Sequence, residues 1–347
     1  MKKELLMGTA LVSTLGAASV AEAVTATMSG NHQTGMEFDS PNGGTDTNAQ
    51  VNDNNFTVSL SETTDGGMTI SSSFKLMDEN GSAGDLDAGF TLAFTDGSKL
   101  DVLNAGNASG SHAISVPGSA GAEGVTTASA NQAQTGLDFA TASTAFGVEY
   151  HTAADFMADG LKMSFSASTD NGAAAIGTYK TDSHFALGAT YVSTVGDSTV
   201  TLGAGYSEAE GSKTGTAVVN DTGGFHVGLS AVTGDLTVAV GFADGHKTGT
   251  LSDASTELEG DVVKAGVKYV SGDLTFNIGI ASGDAQDANL GATDTADDSI
   301  DTTSASVSYA VASGVTALLG YTSTEASDEG AATDDGSAWY IGANMAF

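Results

Sequence analysis

At 347 residues, with 46 Gly, 2 Pro, no Cys, 7% aromatics and a mean hydropathy near zero, the chain holds no apolar run of about 18 residues beyond its N-terminus. Helical membrane spans are thereby excluded. The net charge of −33, with every basic residue a Lys, argues against nucleic acid or anionic headgroups as partners, because both need basic patches.

Residues 1–23 read as a secretory signal: Lys2 and Lys3, an apolar stretch from Leu5 to Val20, and the small-x-small site Ala21-Glu22-Ala23. Cleavage there leaves residues 24–347 as one domain that keeps 41 acids against 8 Lys. An exported chain without Cys fits a fold whose backbone hydrogen bonds close on themselves.

From Val24 onward, runs with apolar residues at i, i+2 and i+4 mark sixteen strands, since side chains alternate between the two faces of a strand. The first spans Val24 to about Phe38 and precedes a loop with Pro41, Asn42, Gly43 and Gly44. Phe56, Val58 and Leu60 mark the second; the turn Thr63-Thr64-Asp65-Gly66-Gly67 leads to Met68, Ile70, Phe74 and Leu76. Phe90, Leu92 and Phe94 turn through Asp96-Gly97 into Leu100 and Val102, and a long insertion follows from about Ala105 to Ala142, with Pro117 inside it.

Strands resume at Phe146, Val148 and Tyr150, then Leu161, Met163 and Phe165, then Phe185, Leu187, Ala189 and Tyr191. Turns at Gly196-Asp197, Thr233-Gly234-Asp235, Ser271-Gly272-Asp273 and Ser313-Gly314 join the later pairs. Ala173 to Lys180 reads as loop or strand extension, so fourteen and eighteen strands stay open. Seven tight turns alternate with eight longer loops, and both Pro residues are expected in loops. The last ten residues, Ala338 to Phe347, put Trp339, Ile341, Ala343, Met345 and Phe347 on one face. Ten residues are what a tilted strand needs to cross a bilayer. The fold class is therefore all-β: a transmembrane antiparallel β-barrel of about 16 strands with short periplasmic turns, long external loops and the third loop folded into the pore.

Aromatic positions support this. Phe94, Tyr150, Tyr191, Tyr269, Tyr309 and Phe347 end descending strands and form one interfacial girdle; Phe38, Phe56, Phe146, Phe185, Tyr206, Phe225, Phe242, Tyr321 and Trp339 form the other. A soluble β-sandwich would bury its aromatics mid-strand.

The segment FTVSLSETTDGGMTISSSFKLMDENG from Phe56 to Gly81, the later TDGSKLDVLNAG and the terminal WYIGANMAF together resemble the general porins of Gram-negative outer membranes, particularly the alphaproteobacterial type. That resemblance implies a sixteen-stranded homotrimer in the cell outer membrane whose third external loop narrows the pore. It also implies that Trp339, Ile341, Met345 and Phe347 carry the signal read by the barrel assembly machinery.

Catalytic motifs are absent: no G-x-S-x-G, H-E-x-x-H, Walker loop or G-x-G-x-x-G occurs. No enzyme is expected. His32, His112, His151, His184, His226 and His246 never fall at metal-ligand spacing, so neither a metal nor a cofactor is expected.

Strand parity turns Lys75, Lys99, Asp101, Glu149, Lys162, His226, Lys264 and Lys268 to the lumen, and the third loop adds Glu123 and Asp138. The candidate pore lining is thus Lys75, Lys99, Asp101, Glu123, Glu149, Lys162, Lys264 and Lys268. Family porins set an Arg-rich wall against an acidic third loop, whereas this chain has no Arg. The stretch Ala281 to Ser337 carries eleven acids and no base; these read as external-loop residues that are solvated, and that would hold Ca²⁺ loosely or bridge lipopolysaccharide through divalent ions.

The reading is a passive, water-filled diffusion pore for small hydrophilic solutes and ions, preferring cations. The alternatives are a secreted acidic β-rich surface-layer or adhesin protein, which would stay soluble without detergent, and a substrate-specific channel on the same barrel, which would show saturable uptake.

Overall fold

The computed structural model describes residues 24–41, 45–78, 82–83, 89–103, 107–118, 147–169, 179–213, 219–248, 257–286, 297–327 and 334–347. The signal assigned to 1–23, the girdle residue Phe146, the loop acids Glu123 and Asp138, and the stretch 173–178 lie outside the described residues.

Seventeen strand segments form one antiparallel sheet. They are β1 Thr25–Pro41, β2 Thr47–Thr63, β3 Thr69–Asp78, β4 Ser82–Ala83, β5 Phe90–Ala93, β6 Lys99–Val102, β7 Val148–His151, β8 Leu161–Thr169, β9 Tyr179–Val195, β10 Ser198–Lys213, β11 Val219–Thr233, β12 Leu236–Thr248, β13 Glu257–Ser271, β14 Leu274–Gln286, β15 Asp297–Ala312, β16 Val315–Ser327 and β17 Asp334–Ala346. β4 and β5 both pair with β3, so they are two pieces of one crossing, and the barrel has sixteen. The sequence expectation holds.

Each of the seven turns on the side of the chain termini contains one glycine at positive φ: Gly67, Gly97, Gly160, Gly196, Gly234, Gly272 and Gly314. Six of these turns are tight; the connection from β7 to β8 runs from Thr152 to Gly160 and is longer than expected.

The wall is organised as the inverse of a soluble protein. On β12, Leu236, Val238 and Val240 are 40–45% exposed on the outside, while Ala239 between them is 1% exposed on the inside. Outward apolar side chains meet lipid, and the inner face is small and polar: Ser164, Ser166, Thr302, Ser304 and Thr322 are all buried there. Among the described residues, one buried apolar cluster joins Leu318, Ala338 and Tyr340, with Val51 packed against it.

β1 closes the ring by pairing with β17, from Asn31 opposite Ala346 to Pro41 opposite Gly336. The last residue takes part, because Gly30 N–H donates to Phe347 O at 3.1 Å and Phe347 N–H donates to Gly30 O at 3.0 Å. Phe38, Trp339 and Tyr321 lie in one cross-strand row, with the Trp339 and Tyr321 rings 4.5 Å apart.

Three expectations are corrected. The ring of Phe56 lies 6.0 Å from that of Phe347, so Phe56 belongs to the girdle of the termini and not to the opposite one. The reason is that β2 begins at Thr47, nine residues earlier than its apolar pattern indicates. Pro41 is the last residue of β1 rather than a loop residue, at a strand end where its missing N–H costs the ladder least. Acids read as loop residues, among them Asp284, Asp301, Glu325 and Asp335, stand on strands, because strands of 13–16 residues outrun the roughly 9–11 that cross a bilayer.

Candidate functional site

Residues 107–118, the described part of the third long connection, lie inside the barrel against its inner wall. The Asn107 side chain accepts the Ser109 N–H at 3.0 Å, and a single 3₁₀ turn, Gly110–His112, follows, closed by Ala113 N–H to Gly110 O at 3.1 Å. The expected inward fold of the loop is therefore observed for this stretch.

Bare backbone on the wall makes room for it. Gly188, Gly203, Gly228, Gly241, Gly266 and Gly279 face the segment from six consecutive strands, β9 to β14. A Cβ on Gly228 would sit 2.6 Å from Ile114 Cβ, well inside the usual 3.5–4.0 Å carbon contact of about optimal separation. Where Gly279 meets Gly118, both partners lack a Cβ, and Gly118 also adopts φ +71. In strand propensity these glycines are weak; their purpose is close approach.

Hydrogen bonds pin the segment along this track. Ala108 N–H donates to Ser166 Oγ at 3.0 Å and Ser111 Oγ donates to Glu149 Oε1 at 2.9 Å. His112 bonds Thr190 Oγ1 at 2.6 Å through Nδ1 and Ser164 Oγ at 2.7 Å through Nε2. His226 Nε2–H donates to Ser109 O at 2.8 Å, and Ser304 Oγ donates to Gly118 O. Each such bond contributes about 0.5–1.5 kcal/mol net, so the set holds the segment without needing an apolar core. Burial first, then the charges of Lys162, His151 and His226, push the His112 pKa down from 6.5 to about 4, and the docked ring is neutral.

Of the residues expected at the pore, Glu123 lies outside the described set. Lys264 and Lys268 alternate with the outward Val263 and Val267 and so stand on the inner face of β13; Lys75 alternates with Phe74 and Leu76 on β3. Lys99 and Lys162 line a cavity of about 710 Å³ together with His112, His151, Ser164 and Thr190. Asp101 and Glu149 stand directly opposite each other on β6 and β7. Trp339, Ile341, Met345 and Phe347 are 47–65% exposed on the outer face.

Sequence spacing missed one convergence. His151 Nε2 lies 3.1 Å from Asp101 Oδ2 and 3.6 Å from Glu149 Oε1, and its Nδ1 lies 2.7 Å from Ser164 Oγ. Asp101, His151 and Ser164 thus follow the order of a hydrolytic triad. Ser164, however, has no exposed surface and its hydroxyl is held between two imidazoles, so it offers no nucleophile to a substrate.

A barrel with a polar lumen narrowed by an inward segment conducts solutes, and comparison with known proteins agrees. A search of curated proteins finds no match. Among solved structures, the chain is similar to an anion-selective porin from Comamonas acidovorans at 12% identity, TM-score 0.67, covering 93% of this chain and all of that one. It is similar to the trimer form of OmpT from Vibrio cholerae at 14% identity, TM-score 0.61, covering 94% of this chain and all of that one. A mutant porin of Rh. blastica matches at 16% identity, TM-score 0.60, over 93% of this chain and all of that one. The model of the Gram-negative porin family matches residues 8–329. The chain belongs to the Gram-negative porin family and is a diffusion channel of the outer membrane.

Proposed function

We propose that this channel is a passive, non-enzymatic pore for small hydrophilic solutes, moderately cation-preferring, that works as a homotrimer. The observation carrying the passive reading is the docked segment itself. It narrows a lumen in which Lys75, Lys99, Lys162, Lys264 and Lys268 stand among Asp101, Glu149 and Glu37, a polar lining of mixed sign.

Cation preference draws on the net charge of −33 around a lumen of mixed sign. Because the Debye length is about 10 Å at 0.1 M and about 3 Å at 1 M, selectivity from distant acids fades with salt. The zero-current potential across a KCl gradient tests it: cation-selective at low mean concentration, weaker at high. An anion-selective sign at low salt would mean that the lumen Lys residues govern permeation.

Trimerisation is supported by the outer face of β1 and β2. Between the Phe347 and Trp339 levels, His32, Thr34, Asn52 and Asn54 share the outward parity of Met36 and Phe38. They bond one another, His32 Nδ1 to Asn54 Oδ1 and Thr34 Oγ1 to Asn52 Oδ1 at 2.7 Å. Polar side chains at bilayer depth are costly against lipid and suit a protein partner. An unheated sample should migrate as an oligomer on a denaturing gel; a monomeric mass in mild detergent would refute this.

At the outer rim, Asp244, Asp261 and Asp284 face one another across three strands, as do Asp301, Glu325 and Asp335. Like charges directly opposite are destabilising, which supports loosely held Ca²⁺ and bridging to lipopolysaccharide there.

A further inference from the structure

Three side chains from two neighbouring strands meet at the foot of the inward segment. Asp101 on β6 stands opposite Glu149 on β7, and the His151 ring, two residues along β7, reaches both carboxylates at 3.1 and 3.6 Å. One ligand atom from each lies within 4.8 Å of the other two. Around a tetrahedral ion with bonds of about 2.0–2.2 Å, neighbouring ligand atoms are separated by roughly 3.3–3.6 Å, so both measured separations need little adjustment. The side chains are sheltered: 13% of Asp101, 4% of Glu149 and 11% of His151 is exposed.

The surrounding bonds suit a cation. Thr91 Oγ1 donates to Asp101, Ser111 Oγ donates to Glu149, and Ser164 Oγ engages His151 Nδ1. A hydrogen-bonded second nitrogen is what orients a metal-binding imidazole. Two carboxylates directly opposite on adjacent strands repel, and a divalent ion between them removes that cost. His184 on β9 is buried, has no hydrogen-bond partner for either ring nitrogen among the described residues, and lies within electrostatic reach of Glu149, so the same patch of wall offers a further nitrogen donor. Lys99, opposite His151 in the ladder, and Lys162 are the cations that oppose binding.

We propose that Asp101, Glu149 and His151 form a binding site for one divalent transition cation of the zinc type. An imidazole with two carboxylates favours such an ion over Ca²⁺ or Mg²⁺, which take oxygen ligands only. With the cation on His151 Nε2, the ring carries its proton on Nδ1 and donates it to Ser164 Oγ, whose hydroxyl turns to His112 Nε2, and His112 Nδ1–H then donates to Thr190. Through Ser111, the filled site also holds the 3₁₀ turn to the wall.

The test is calorimetric titration of the folded, detergent-solubilised protein with ZnCl₂, in excess CaCl₂ and at about 1 M salt, where the Debye length of about 3 Å quenches the acidic rim. One zinc per chain is expected, and CoCl₂ should develop visible ligand-field bands of nitrogen and oxygen coordination. His151→Ala should abolish both signals. Ser164→Ala, which keeps every ligand, should weaken zinc by about 10–100-fold. Heat-modifiable gel mobility verifies assembly, and the Ser164 variant decides if the His151 variant does not assemble. Absence of the cobalt spectrum in the unaltered protein overturns the proposal whatever the variants do. Equal zinc binding by the unaltered protein and an assembled His151→Ala barrel overturns it as well, and assigns the zinc to the acidic rim.

Discussion

Replacing His112 by Ala tests how firmly the inward segment is fastened. The change removes the bonds to Thr190 Oγ1 at 2.6 Å and Ser164 Oγ at 2.7 Å, while Ser164 keeps its bond to His151. Two neutral hydrogen bonds contribute about 1–3 kcal/mol together. The cavity beside the ring admits water to the freed hydroxyls, which keeps the cost within that range instead of adding a full penalty for orphaned groups. At 1.4 kcal/mol per tenfold, the ratio of docked to detached segment should fall by roughly 5–150-fold. The bonds of Ala108, Ser111, His226 and Ser304 remain, so the segment stays docked most of the time and its excursions become visible. Single-channel recording should show added open-channel noise and brief steps of altered conductance, with unchanged assembly on gels. Conductance and noise indistinguishable from the unaltered channel would refute the idea that these bonds restrain the constriction.

Acid should act in the same direction. A ring whose pKa is about 4 when docked and 6.5 when free binds more protons in the detached state, so docking is at full strength above about pH 6.5 and weakens as pH falls toward 4. The added noise should therefore appear in the unaltered channel over that window, and a pH-independent record there would count against it. Because the chain has no Cys, a disulfide can report the track without background. A Cβ on Gly241 would lie 3.4 Å from Val116 Cγ2, so Val116→Cys with Gly241→Cys should crosslink on oxidation while conductance is preserved; an assembled barrel that fails to crosslink contradicts the docked path. Deleting Phe347 removes two closing hydrogen bonds and the ring over Phe56, and should reduce the yield of heat-modifiable barrel far more than Leu319→Ala, an outward change elsewhere. Equal yields would argue that the terminal residue neither closes the wall nor marks the chain for insertion.

Sequence alone determined the parts of this protein on which the bilayer acts directly. Lipid on one side and water on the other impose the period-two pattern of Leu236, Val238 and Val240, and the tight turns at Gly196, Gly234, Gly272 and Gly314 count the crossings. Where that contrast vanishes, so does the signal. Residues 47–55 form a strand yet carry Asn and Asp on both faces, and the acidic strand ends beyond the membrane are wet on both sides, so each reads as loop. Tertiary structure decided the rest. The glycines at 188, 203, 228, 241, 266 and 279 look like weak strand positions until barrel closure lines them up under a segment that starts some 80 to 170 residues away in the chain. Asp101 and His151 are separated by an insertion that carries no local code for their distance; the register between β6 and β7 alone brings both, with Glu149, to one point on the inner wall.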